Sequence, residues 1–444
     1  MDFSALTSSF GSGLFGTVVV ILALSVIVTV HEYGHYIVGR WCGIKADVFS
    51  LGFGKPLYQR TDKHGTLWQV AAIPLGGYVK FAGDANAASA PDAHAVEGLA
   101  PEEARHTMPG APLWARTLTV AAGPMFNFIF SALVFAGMVL WFGQAKADLE
   151  IASVKSVPYE VALQEGDTIL AIGGVPLTEE GERMGFVETL PRTGMVDYLV
   201  ERDGQEITVT APHPMPVIVD TVSPKSAARD ARLQGGDVIT HADGEALPTF
   251  YDLQEVVEQS DGAAITLTVW RDGESFETEL TPRRRDIPLV DGGYETRWLI
   301  GIVGGLLFNV ATEPVGIGEA LSIGVQGVWS VITQSLAGLY NMIVGTISTC
   351  NLSGAVGMAG AVTTMASQGI DRYIEIIAVI STAIGLINLF PIPVLDGGHL
   401  VFYAYEAVRG KPLPDRAVGV MMTIGLAVIM SFMLFGLAAD FLCK

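Results

Sequence analysis

Two histidines and a glutamate near the N-terminus have the spacing of a catalytic metal motif, in the segment His31-Glu32-Tyr33-Gly34-His35. Residues four apart project from one face of a helix, so both imidazoles can bind one tetrahedral zinc ion. Glu32 lies beside them and can accept a proton from a water on that metal. The alternative is that these three residues only lie at a helix end and extend their polar groups into water. Burying them without a metal would be costly, so the zinc motif is favoured.

A third zinc ligand must come from elsewhere, because a catalytic zinc usually has three protein ligands. Asp396 is the candidate, since it follows Pro391 and Pro393, which end an apolar helix. A helix cap is the alternative role for Asp396, but it does not account for the residues before it. Asn388 has two open roles: a donor to an oxyanion, or a partner for a carbonyl freed by the prolines. His399 is expected only to begin the next helix.

The elements that carry these residues are predicted to be transmembrane helices. The chain has 444 residues, 50% of them hydrophobic, and its mean hydropathy is +0.43, which is too apolar for soluble domains. A span takes roughly 20 apolar residues. Four segments meet that need: 14–38, 117–142, 373–389 and 418–437. The first continues into the histidine motif, so it is interpreted as an uncleaved span rather than a signal peptide.

The basic residues at the span ends predict the orientation. Arg40, Arg116 and Arg409 lie at ends that should therefore be cytoplasmic. Both termini would face the opposite side, which is the periplasm in a bacterium. Asp396 reaches the side of His31 only if there are four crossings. Residues 316–344, also apolar, are therefore interpreted as an amphipathic helix on the periplasmic surface.

A strongly acidic region lies between the second and third predicted spans. Residues 143–315 contain 30 acidic and 13 basic side chains, which accounts for 17 of the 20 net negative charges. This balance excludes an electrostatic nucleic-acid binder. The three cysteines, Cys42, Cys350 and Cys443, are too few and too scattered to predict a disulfide framework.

The acidic region contains an internal repeat. The segment 166–174, with Gly-Asp-Thr-Ile-Leu, recurs at 236–244, and an Arg-Asp-Gly at 202–204 recurs at 271–273. The repeat predicts two tandem modules of short strands and turns. They resemble PDZ domains, which bind an extended peptide at a sheet edge. Modules that only act as spacers are the alternative. Asp237 and Arg271 are expected to be exposed turn residues.

The order of motifs resembles the site-2 protease family, in particular the bacterial regulator of sigma-E protease type. The motifs are HExxH in the first span, Gly-Pro-Met-Phe-Asn at 123–127, the tandem modules, and Asn-x-x-Pro-x-Pro-x-Leu-Asp-Gly-Gly at 388–398. A hairpin predicted over 56–73, with a turn at 62–65, resembles the membrane-re-entrant β-loop of the family. The resemblance covers nearly the whole chain. Ala383, where some relatives have Asn, is a departure that concerns how substrate is held.

This resemblance implies an intramembrane zinc metalloprotease that cuts single-span membrane proteins, such as a pre-cleaved anti-sigma factor or a remnant signal peptide. Carried over by position, it implies His31, His35 and Asp396 as zinc ligands and Glu32 as base. Substrate-binding residues would be Asn388, Pro391, Pro393 and Asn127. Implied partners are these substrates, peptides sensed by the PDZ-like domains and the bilayer of the bacterial inner membrane, in a stress response controlled by sigma-E. The alternative function is a non-enzymatic membrane scaffold that bears PDZ domains.

The predicted fold is thus a polytopic α-helical membrane protein with four transmembrane helices, a membrane-associated β-hairpin and two inserted PDZ-like α+β domains. The predicted segments are 1–40 (first span, with HExxH), 41–112 (cytoplasmic hairpin and flexible loop), 113–143 (second span), 144–213 and 214–286 (PDZ-like domains), 287–372 (connector and surface helix), 373–400 (third span) and 401–444 (fourth span and C-terminus).

Overall fold

The structure is a computed structural model that describes residues 12–84, 98–177, 187, 190–288, 294–348, 350 and 352–442. The chain divides into two compact units. The first contains Met1–Gly137, Gly318–Leu339 and Gly354–Ala439, and the second contains Met138–Ile317, Tyr340–Ser353 and Asp440–Lys444.

The helices of the described residues fall into a long apolar group and a few short ones. They are α1 (Ser12–Trp41), α2 (Pro101–Ala104), α3 (Leu113–Phe142), α4 (Ala227–Asp230), α5 (Phe250–Gln259), α6 (Ile317–Ile343), α7 (Ala355–Gln368), α8 (Ile370–Asn388), α9 (Asp396–Arg409) and α10 (Asp415–Leu442).

The strands form one hairpin sheet in the first unit and several small sheets in the second. They are β1 (Ala46–Thr61), β2 (Leu67–Phe81), β3 (Gln144–Ala145), β4 (Ile151–Val154), β5 (Thr168–Ile172), β6 (Val175–Pro176), β7 (Met195–Arg202), β8 (Gln205–Pro212), β9 (Ile218–Val222), β10 (Val238–Ala242), β11 (Glu245–Ala246), β12 (Ile265–Arg271), β13 (Glu274–Leu280), β14 (Arg283–Pro288), β15 (Tyr294–Leu299), β16 (Ile302–Gly305), β17 (Phe308–Val310) and β18 (Thr312–Glu313).

Three helices of the described residues are long and apolar enough to cross a membrane: Gly13–Trp41, Leu113–Phe142 and Arg416–Leu442. They correspond to three of the four predicted spans. The remaining one coincides with α8, which has 19 residues and carries Asp371, Arg372 and Glu375 near its start. Length and composition therefore do not assign α8 to the membrane, and the fourth crossing stays a prediction.

The hairpin is present and is longer than predicted, since it covers 46–81 rather than 56–73. Each of its strands is also bent. The segment 48–51 pairs with 77–80 on one side and with 67–70 on the other, and 58–61 pairs with the far side of 67–70. Gly52, at φ +88°, lies where β1 bends, in a backbone conformation that favours glycine. The result is a small four-stranded sheet with residues 77–81 at one edge.

Apolar packing and one carboxylate fix this sheet against the first helix. Phe49 stacks on Trp68 at 4.3 Å, and both rings contact Tyr36 of α1. Asp62, in the turn, accepts hydrogen bonds from the Tyr36 hydroxyl at 3.2 Å and from Trp68 Nε1 at 3.1 Å. Since Tyr36 follows His35 directly, these contacts fix the position of the hairpin relative to the histidine motif.

Helix α6 packs closely on α3 through small residues. A Cβ added at Gly324 would lie 2.2 Å from the Ala132 carbonyl oxygen, so only glycine permits this approach. Large apolar side chains, including Val325 and Trp329, are exposed on the same helix. The predicted apolar helix at 316–344 therefore exists, and its location at a membrane surface stays a prediction.

The second unit contains the two predicted modules, and their strands repeat in the same order. The first sheet has the order β6-β5-β7-β8, and within the second sheet β11, β10, β12 and β13 are neighbours in the same sequence. This is the pattern that the 70-residue repeat of the sequence predicted. The likeness to PDZ domains is not tested by these observations.

An ion pair at the same place in each module shows how close the repeat is. Arg202 Nε lies 2.6 Å from Asp167 Oδ1, and Arg271 Nε lies 2.6 Å from Asp237 Oδ1. The expectation that Asp237 is exposed was wrong, because its side chain is 1% exposed. A buried carboxylate needs a bidentate partner, and the arginine supplies it. The repeated Gly-Asp and Arg-Asp-Gly segments are therefore the two halves of one structural contact.

Candidate active site

Helix α1 brings the two predicted histidine ligands together, as the four-residue spacing requires. The Nε2 atoms of His31 and His35 are 3.2 Å apart, so both rings turn the same nitrogen toward one point. The apolar face of the helix packs on α7 and α8 through Phe15, Val19, Ala23 and Ile27. The motif thus lies on a helix that is fixed on several sides.

Asp396 reaches the same point from the start of α9. Its Oδ2 atom is 3.2 Å from His31 Nε2 and 3.5 Å from His35 Nε2. Helix α8 ends at Asn388, and a tight turn leads into α9. A Cβ on Gly397 or Gly398 would lie 2.3–2.4 Å from backbone carbonyl oxygens of this turn, so the glycines are needed to close it. The structure places together the three residues that the sequence predicted as ligands.

The dimensions of this cluster fit a zinc ion. Zinc bonds to nitrogen or oxygen ligands are about 2.0–2.1 Å long, so neighbouring ligand atoms of a tetrahedron should be roughly 3.3–3.4 Å apart. The separations here are 3.2, 3.2 and 3.5 Å. Asp396 Oδ2 is also buried, and its polar neighbours among the described residues are these two histidine nitrogens. Two imidazoles and one carboxylate leave a fourth position open for water or substrate.

The second nitrogen of each histidine has its own partner. His35 Nδ1 lies 2.8 Å from the Thr119 carbonyl oxygen, so Nδ1–H donates there and leaves Nε2 free for a metal. His31 Nδ1 lies 3.3 Å from the side-chain amide of Asn127. Both partners belong to α3. The resemblance implied that Asn127 contacts substrate, but its side chain is fully buried and does not line the cavity.

The approach of α3 depends on a glycine that faces the two rings. A Cβ on Gly123 would lie 2.3 Å from His35 Nε2 and 2.9 Å from His31 Cε1. A contact that short does not occur between real side chains, so no other residue fits while the rings keep their places. This glycine belongs to the Gly-Pro-Met-Phe-Asn segment, of which the resemblance implied only Asn127 as a site residue.

A cavity extends from the cluster to the edge of the hairpin sheet. Its lining includes the three predicted ligands, the predicted base and residues from β2, α8 and α9: His31, Glu32, His35, Gly77, Tyr78, Val79, Asn388, Asp396, His399 and Tyr403. The Val79 backbone N–H interacts with the Glu32 carboxylate. Gly77 also lies beside this side chain, since an added Cβ would be 3.3 Å from Glu32 Cγ. The predicted base therefore lies between the metal cluster and an edge strand.

The remaining predicted residues differ in their relation to this cavity. Asn388 lines it, whereas Pro391 and Pro393 do not. Pro393 instead contacts the last helix, because a Cβ on Gly425 would lie 3.1 Å from its ring. His399, expected only to begin a helix, lines the cavity one turn after Asp396. The three-residue spacing puts His399 and Asp396 on one helix face, and this could have identified His399 from the sequence.

The family model described as Peptidase family M50 matches residues 19–432. The chain belongs to this family. It is 37% identical to a protein of Agrobacterium fabrum whose name describes it as a zinc metalloprotease, over 94% of this chain and 92% of that protein. It is 33% identical to the regulator of sigma E protease of Haemophilus influenzae and 30% to the regulator of sigma-E protease RseP of Salmonella typhimurium, each over 95% of this chain and 97% of the relative.

Membership of this family confirms the predicted class of enzyme and its cofactor. The chain is a zinc metalloprotease with membrane-spanning helices. The expected resemblance to the site-2 protease family is confirmed as well.

Proposed function

We propose that this metalloprotease hydrolyses peptide bonds within transmembrane segments of single-span membrane proteins, at a zinc held by His31, His35 and Asp396. The observation that carries the proposal is the cluster of three ligand atoms, 3.2–3.5 Å apart, two of which lie on an apolar helix long enough to span a membrane. Ionisable groups in such helices are expensive unless they serve a function. A peptide bond that reaches this cavity would come from within the bilayer.

Glu32 acts as the general base in this proposal. Zinc bound at the cluster would polarise the scissile carbonyl and acidify a water. The Glu32 carboxylate accepts the proton of that water as its oxygen attacks the carbonyl carbon. It then delivers the proton to the amide nitrogen as the carbon–nitrogen bond breaks, so atoms and charge balance. The Val79 N–H holds the carboxylate in place between the two transfers.

Asn388 is the candidate donor to the oxyanion. It lines the cavity, and among the described residues its side chain has no hydrogen-bond partner. This supports the role of donor over the alternative, in which the amide would bond a carbonyl freed by a proline. A neutral donor stabilises developing negative charge without competing with Glu32 for protons.

The edge of the hairpin sheet would hold the substrate in an extended form. A helical substrate hides its carbonyls in its own hydrogen bonds, so cleavage requires local unwinding. Among the described residues, 77–81 pair on one side only, with 46–51, and Gly77, Tyr78, Val79 and Phe81 line the cavity. An unwound segment could add there as a further strand and present one carbonyl to the cluster.

The proposed location is the inner membrane of a bacterium, with the cavity toward the cytoplasm and both termini and the acidic modules in the periplasm. Cys350 is disulfide-bonded and Cys42 is free. Disulfides persist in oxidising compartments such as the periplasm. The modules would act there as PDZ-like sensors of substrate. Two relatives are named for the regulation of sigma E, which suggests that substrates include a pre-cleaved anti-sigma factor.

The test is cleavage of a tagged single-span substrate by the purified full chain in detergent or vesicles. Glu32→Gln should retain zinc, measured by mass spectrometry of the metal, and lose at least about 100-fold in cleavage rate. Glu375→Gln, which removes a carboxylate from another apolar helix away from the cavity, is the matched control and should cleave normally. Unchanged cleavage by Glu32→Gln with zinc bound would refute the assignment. A scaffold without enzymatic activity would cleave nothing in either form.

A further inference from the structure

Asn127 is a fully buried amide at the meeting point of three helices, and the proposed chemistry does not use it. Its side-chain nitrogen lies 3.3 Å from His31 Nδ1. Its side-chain oxygen is buried and has no partner among the described residues. A buried amide oxygen without a partner is unfavourable, so its presence calls for an explanation.

The hydrogen on His31 decides which end of the amide should face the ring. A neutral imidazole carries one hydrogen, and the nitrogen without it is the one that can bind a metal. In the structure the Asn127 nitrogen faces His31 Nδ1 at 3.3 Å, so Nδ1 is the acceptor and the hydrogen of the neutral ring belongs on Nε2. With zinc on Nε2, the hydrogen must move to Nδ1, which then needs an acceptor.

We propose that Asn127 is a positioning residue that serves both forms of His31. When zinc binds, the amide turns by about 180° and its oxygen accepts the hydrogen bond from Nδ1–H. An amide can do this because its two ends have nearly the same shape and opposite hydrogen-bonding character. The inference rests on the proposed zinc site, in which His31 is a ligand through Nε2.

The surrounding packing fixes the backbone of Asn127 beside His31. Its backbone carbonyl accepts hydrogen bonds from Ser131 Oγ at 2.9 Å and from Ser381 Oγ at 3.3 Å. Gly385 of α8 lets the helices approach, since a Cβ there would lie 3.2 Å from Asn127 Cβ. The backbone is therefore fixed, while the amide keeps one torsion about which it can turn. Substrate contact does not explain the residue, because it does not line the cavity.

The experiment measures zinc affinity of the metal-free full chain by competition with a chromophoric chelator. Asn127→Leu has neither donor nor acceptor and should bind zinc 10- to 100-fold more weakly. Asn127→Asp supplies an acceptor only, so its zinc affinity should stay within a few-fold of the wild type. Cobalt(II) absorption of each protein reports whether the ligand geometry is kept. Asn127→Ala, which adds no bulk, replaces Asn127→Leu if the latter does not fold.

Ser381→Ala is the matched control, because it removes a hydrogen bond to the same backbone carbonyl without touching the amide. It should bind zinc as the wild type does. Equal zinc affinities for wild type and Asn127→Leu would overturn the inference, and so would an equal loss in Asn127→Asp. A raised KM with normal zinc affinity would assign Asn127 to substrate instead. Failure of the proposed zinc site itself is distinguishable, because His31→Ala would then leave zinc binding unchanged.

Discussion

Replacing Gly123 by alanine should disable the metal site without weakening helix α3. The added Cβ would lie 2.3 Å from His35 Nε2, 2.5 Å from His35 Cε1 and 2.9 Å from His31 Cε1. Non-bonded carbon contacts are most favourable at about 3.5–4.0 Å, so the His35 ring must move by roughly 1 Å or α3 must retreat. Metal ligands tolerate deviations of only about 0.2 Å. The helix itself gains, since alanine is favoured over glycine in helices by about 1 kcal/mol.

We expect Gly123→Ala to bind zinc at least 100-fold more weakly, which corresponds to about 2.7 kcal/mol. The assay is chelator competition on the purified full chain, together with the thermal unfolding of the metal-free form. Gly137→Ala is the matched control, because it lies on the same helix and its Cβ would have nothing within 4 Å. If Gly123→Ala binds zinc as tightly as Gly137→Ala does, the proposed contact between α3 and the two rings is refuted.

Three further predictions concern the hairpin, the modules and the orientation. Gly77→Ala should slow cleavage with zinc still bound, because its Cβ would lie 2.8 Å from the Ser50 carbonyl oxygen and push the edge strand from Glu32; an unchanged rate would contradict this. Burial lowers the pKa of His213 below its ordinary value of 6.5, so the folded form binds a proton less readily than the unfolded chain. Its contribution to the free energy of unfolding is therefore present above pH 6.5 and lost as the pH falls below that value. Urea unfolding measured at several pH values should show that the stability of His213→Asn falls less on acidification than that of the wild type. With intact cells, a thiol reagent that does not cross the membrane should label neither Cys350 nor Cys42 without reductant. After mild reduction it should label Cys350 and the thiol released with it but not Cys42, and labelling of Cys42 would reverse the proposed orientation.

The proposed metal ligands could be selected from the sequence because each lies in a local pattern with a chemical meaning. His31 and His35 follow helical spacing, and Asp396 follows a break that only a protein cavity can accommodate. Gly123 and Asn127 could not be assigned in the same way. Their roles depend on how closely α3 approaches α1, and that distance is set by packing between residues about 90 positions apart in sequence.

Other expectations were limited by the same difficulty. The hairpin was predicted from alternating residues, but its bend into four strands depends on a glycine at positive φ and on pairing with two partners. Asp237 was expected at the surface because Gly-Asp is a common turn sequence, yet Arg271 lies 34 residues later and buries it. The composition of α8 did not decide a membrane crossing, because its three charges lie near one end.

The three proposed metal ligands also set a time at which the enzyme can first act. Asp396 follows His35 by 361 positions, so a ribosome reaches it last. At about 5–20 residues per second, roughly 20–70 s separate the synthesis of the two. A nascent chain that carries only the two histidines has too few ligands for a catalytic zinc site. On the proposed ligand set, the protease is inactive while it is being inserted beside other unfolded membrane proteins, and a product truncated before Asp396 does not cleave them.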